Sequence, residues 1–92
     1  MLNELQCRAA RSWLGISQEE LAALARVSAR TIAHFEAGNR VPHDRTLRDI
    51  QSALEAEGIE FVFEGAVGIG IRASRAAAQA IKAQTKKARG EP

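Results

Sequence analysis

Two serines, Ser17 and Ser28, each read as the start of a helix, and only ten residues separate them. No other feature of the chain constrains its fold as strongly. Ser17 stands three residues before Glu20, the spacing of a reciprocal capping box in which the two side chains satisfy backbone N–H groups that a helix leaves unpaired at its start. Leu21, Leu24 and Ala25 then recur at helical spacing until the pattern stops at Arg26-Val27. Ser28 caps a second run, in which Ile32 and Phe35 share a face. Two caps this close leave room for two short helices and a tight turn. Ala22 is small enough for the second helix to approach the first, and Val27, Ile32 and Phe35 point back into a core. Ser28, Ala29, Arg30, Thr31 and His34 are left facing outward.

The flanking sequence completes a small helical domain. Leu2, Leu5, Ala9 and Trp13 lie along one helical face and Gly15 follows as a C-cap, which predicts a first helix from about Asn3 to Leu14. Gly38 closes the second motif helix after Ala37, and Pro42 discourages helix at Val41 in the loop from Asn39 to His43. A fourth helix begins near Asp44, carries Leu47, Ile50 and Leu54 as a core stripe, and ends at Gly58. At Ile59 the period changes from 3.6 to 2: Ile59, Phe61 and Phe63 alternate with Glu60, Val62 and Glu64, and Val67, Ile69 and Ile71 alternate with Gly68 and Gly70. Two short strands joined at Gly65-Ala66 are the natural reading. From Ala73 onward the chain turns to Ala, Lys and Arg, including Lys82, Lys86 and Lys87, and a helix from Ser74 toward Ala88 would serve as a second dimer contact, as a phosphate-following basic arm, or fray as a tail. The expected fold is thus mainly α: a compact four-helix domain over residues 1–58 containing a helix-turn-helix, a β-hairpin over 59–72, and a basic Ala-rich helix or tail over 73–92.

The segment SQEELA, then VSARTI, then FEAG resembles the helix-turn-helix of the Cro and phage-repressor type, the XRE family. RAARSWLG (Arg8 to Gly15) is similar to that family's first helix, and RVPHDRTLRDIQSALEAEGIEF (Arg40 to Phe61) to its closing helix and exit strand. One position departs from the pattern: the turn carries Arg26 where the family usually has Gly. A non-Gly residue at positive φ costs on the order of 1 kcal/mol, so Arg26 either accepts that strain or the turn takes another form.

The resemblance implies a protein that reads double-stranded DNA, and the charge distribution agrees with it. Residues 26–48 hold five basic and two acidic side chains, residues 49–71 hold five acidic and no basic ones, and residues 72–92 hold six basic and one acidic. Such charges can equally just solvate a surface, but here the basic stretch coincides with the second motif helix and the loop after it. A duplex would be drawn to that end and repelled by the acidic one. The groove-facing positions implied by the resemblance are Ala29, Arg30 and His34, with Arg30 suited to bond both N7 and O6 of a guanine. Gln18, at a helix start, suits a phosphate. So do the hydroxyls of Ser28 and Thr31 and the flanking Asn39, Arg40, His43 and Arg45. The resemblance also pairs Arg11 with Glu36 as a structural ion pair.

One reading helix covers only a few base pairs, so a homodimer on two half-sites is expected. The bare hairpin supplies a candidate interface in Ile59, Phe61, Phe63, Val67, Ile69 and Ile71. The direction of regulation expected is repression at a palindromic operator. The competing class is a protein-interaction module on the same fold, such as an antitoxin or an anti-activator binding a partner protein. An enzyme is not expected, for no nucleophile-base spacing or paired carboxylates appear. Neither cofactor nor metal is expected: Gly65, Gly68 and Gly70 precede no helix N-terminus, and His34 and His43 lack further ligands nearby. A single cysteine, Cys7, reads as a packed side chain. At 46% hydrophobic, with no apolar run near the ~20 residues that span a bilayer, the 92-residue chain is expected to be cytoplasmic and without a membrane partner.

Overall fold

The computed structural model describes residues 1–75. Four helices, α1 (Glu4–Leu14), α2 (Gln18–Ala25), α3 (Ala29–Glu36) and α4 (Asp44–Ala56), precede strands β1 (Ile59–Glu64) and β2 (Val67–Ala73). Each motif helix starts where its serine caps it. Ser17 accepts from the Glu20 N–H at 3.0 Å while the Glu20 carboxylate accepts from the Ser17 N–H at 3.1 Å, and Ser28 accepts from the Thr31 N–H at 3.1 Å. A further capping box opens α1, between Asn3 and Gln6. The turn between α2 and α3 resolves the alternative at Arg26: it adopts the left-handed conformation at φ 58° and is the only non-glycine residue at positive φ among the described residues. The expected basic segment lies outside the described residues from residue 76 onward.

One core unites all four helices with the hairpin. Leu21, Ala22 and Ala25 of α2 meet Ile32 and Phe35 of α3, Leu47, Ile50 and Leu54 of α4, Cys7 and Ala10 of α1, and Ile59 at the start of β1. Ala22 is buried at the α2–α3 approach, as a small residue there must be. Two expectations are corrected. Leu5, Ala9 and Trp13 do not face the core, and Leu5 and Trp13 are 60% and 47% exposed. The face of α1 that turns inward carries Gln6, Cys7 and Ala10, whose small or hydrogen-bonded side chains let the helix lie close to its neighbours. Leu24 on α2 is likewise exposed.

The hairpin is antiparallel, pairing Ile59 with Ala73 and Glu64 with Val67, and its register shifts at Val62/Phe63. Opposite that step β2 carries one extra residue, Ile69, a bulge that breaks the strict alternation of Val67, Ile69 and Ile71. Ile71 therefore packs against the core with Phe61, whereas Val67 and Ile69 are exposed. Ile59 is 2% exposed and inside the core, so it is removed from the expected dimer interface: a residue already covered by its own chain has no surface to offer a second copy.

Gln6 joins the hairpin to the helices. Its side chain is buried, accepts from the Asn3 N–H, and donates to the carbonyls of Val62 at 3.1 Å and Gly70 at 3.0 Å, one on each strand at the bulge. Asn3 adds a bond to the Gly68 carbonyl at 3.0 Å. Gly68 is required by this approach, because a Cβ there would overlap the Gln6 amide, while Gly70 has open space around it.

Candidate nucleic-acid interface

The outward end of α3 and the loop that follows it enclose a cleft of about 410 Å³ lined by Ser28, Arg30, Thr31, His34, Arg40, Val41, Pro42, His43 and Thr46. Six residues expected to touch DNA are thereby brought together: Ser28, Arg30, Thr31, His34, Arg40 and His43. No carboxylate lines the cleft, so its potential is set by two guanidiniums and its polar character by hydroxyls and imidazoles. The hydroxyls of Ser28 and Thr31 are 2.8 Å apart at the start of α3, where the helix also presents unpaired N–H groups. Concavity, positive charge and a helix N-terminus suit a polyanion.

The other expected contacts stand apart. Ala29 packs partly against the core, Asn39 is exposed with its N–H bonded to the His34 carbonyl, and Arg45 is exposed in the first turn of α4; none of the three lines the cleft. Gln18 is committed elsewhere, since its amide donates to Glu36 at 3.1 Å. Val41, Pro42 and Thr46 complete the cleft and were not among the expected contacts. Pro42 was legible only as a loop former, and Val41 as an apolar residue had no charge to draw notice.

Behind the cleft, α3 is held by one buried carboxylate. Glu36 is 3% exposed and receives a two-pronged contact from Arg11, Nε to Oε2 at 2.9 Å and Nη2 to Oε1 at 2.8 Å. Gln18 and the Cys7 thiol, at 3.3 Å, donate as well, and Arg11 spends its remaining nitrogen on the Ile16 carbonyl at 3.0 Å. Burial alone would push the Glu36 carboxyl up, but the hydrogen bonds from Arg11, Gln18 and Cys7 outweigh it and hold the group below the usual carboxylate range. The same enclosure has the opposite effect on Cys7, whose thiol is pushed well above its ordinary value by burial and by the Glu36 charge. A two-pronged arginine on a buried, fully hydrogen-bonded carboxylate fixes an angle as well as a distance. It ties α1 to the end of α3.

Two capped helices crossed at a tight turn, the second exposing its first residues beside a basic cleft, define the helix-turn-helix class of domain. A family model described as a helix-turn-helix domain matches residues 6–61. The chain belongs to that family. Among curated proteins, none matches the chain. No helix among the described residues is long and apolar enough to cross a membrane.

Proposed function

We propose that the protein is a sequence-specific DNA-binding transcriptional regulator of the Cro and phage-repressor type, a cytoplasmic repressor that binds a palindromic operator as a homodimer. The observation that carries this reading is the carboxylate-free cleft between α3 and its following loop, with Arg30 and Arg40 on its walls. In this mechanism the start of α3 enters the major groove and Arg30 reads a guanine edge. Ser28, Thr31, His34, Arg40 and His43 engage phosphates or base edges around it. Asn39, Arg45 and the N–H groups at the start of α2 by Gln18 extend the track along the backbone, and Ala29 accepts a methyl or any base.

Selection of bound duplexes from a random pool tests this directly, and a palindromic consensus is the expected product. Arg30→Ala should lower affinity for the selected duplex by about 1 to 3 kcal/mol, roughly five- to 150-fold, while relaxing preference at one base pair. Affinity should also fall steeply with salt, with a slope of about 0.9 per phosphate contact. A flat salt dependence with no enriched sequence would defeat the proposal. It would favour the second reading, a module that binds another protein, to which the exposed Leu5, Ala9 and Trp13 of α1 give specific support.

A further inference from the structure

Val41 is the most exposed large apolar side chain among the described residues, at 78%, and it sits on the wall of the basic cleft. Apolar residues exposed singly are ordinary on protein surfaces, but this one shares a concavity with Arg30, His34, Arg40 and His43. It is also held ready. Pro42 disfavours helical backbone at Val41, and a β-branched side chain has little χ1 freedom to lose, so ordering it against a partner is cheap in entropy. The major groove offers one apolar group at a base edge, the C5-methyl of thymine. Arg30 and Val41 line the same cleft, so a duplex seated with a base edge at Arg30 would present a neighbouring pair to the rest of that lining, Val41 included.

We infer that Val41 is a specificity-determining residue that contacts a thymine methyl next to the base pair read by Arg30. The inference rests on the DNA-reading function proposed above. Its test replaces each thymine of the selected duplex in turn by deoxyuridine, which removes the methyl alone, and measures binding of the wild-type chain, Val41→Ala and Val41→Thr. At one thymine the wild type should lose about fourfold, the value of one buried methyl. Val41→Ala, which withdraws both γ-methyl groups, should bind the thymine duplex correspondingly more weakly and lose most of the discrimination, and Val41→Thr, which keeps one methyl, should fall between it and the wild type. Both variants alter an exposed loop position, and circular dichroism should show wild-type helix content. The inference is overturned if no thymine shows a penalty that depends on residue 41, or if Val41→Ala weakens thymine and uracil duplexes alike, which marks a deoxyribose contact. A pool that yields no enriched duplex would instead overturn the DNA-reading function itself, and this contact with it.

Discussion

At the scale of single residues, Glu36 is held for stability, and Arg30 is the residue proposed for recognition. Removing Arg11 leaves a buried carboxylate with its two strongest hydrogen bonds gone, so Arg11→Ala should cost about 3 kcal/mol of folding stability. Arg30 is exposed, so Arg30→Ala should stay within about 0.5 kcal/mol of wild type in urea denaturation. The reverse order would remove Glu36 from its structural role. The pH dependence follows from the same carboxyl. Its folded value lies below the ordinary 4.5, so its contribution is fully present above that pH and is lost as pH falls below it through the depressed folded value. Melting temperature should therefore drop below about pH 4.5, and Glu36→Gln, less stable at neutral pH, should show a flatter acid limb. The caps Ser17 and Ser28, and Ser28, Arg30, Thr31, His34, Arg40 and His43 in the cleft, were legible because their signals are local or charged, whereas Thr46 offered no such signal. Gln6 was not: its hydrogen-bond partners lie 56 and 64 positions away, and hydropathy alone assigns a glutamine outward.

At the scale of elements, the same glutamine explains why α1 and β2 departed from expectation. The Leu5, Ala9 and Trp13 spacing is genuine helical periodicity, but the buried face is the one bearing Gln6, Cys7 and Ala10. Periodicity locates a helix; which face turns inward is set by contacts with chain that comes much later. The even alternation of β2 concealed its bulge in the same way, since an inserted residue leaves no mark when every second position is apolar or glycine. Gly68 and Gly70 look interchangeable in the sequence and should behave differently. Gly68→Ala displaces the Gln6 amide from its strand carbonyls and should cost about 1 to 3 kcal/mol, whereas Gly70→Ala should be close to neutral. In a Gln6→Ala background the Gly68→Ala penalty should shrink sharply. Equal penalties in both backgrounds would sever the link.

At the scale of the whole molecule, the proposed dimer has a narrower face than the six hairpin residues first suggested. Ile59 is lost to the core and Phe61 and Ile71 are partly used by it, which leaves Val67 and Ile69, 64% and 57% exposed, with half-buried Phe63 beside them. Ile69→Asp should convert a dimer to a monomer in sedimentation while leaving helix content unchanged and weakening operator binding. A wild-type monomer at high micromolar concentration would exclude this face.

The run of contacts along α1 has a consequence for the DNA as well. Asn3 and Gln6 fasten one end of that helix to the hairpin, and Arg11 fastens the other to the last residue of α3. If two copies join through their hairpins, each reading helix is braced to the joint by a rigid strut about three turns long. The pair then behaves as a caliper with a fixed opening. Operators whose half-sites are moved apart by a single base pair, which also rotates one site by about a tenth of a turn, should be rejected outright.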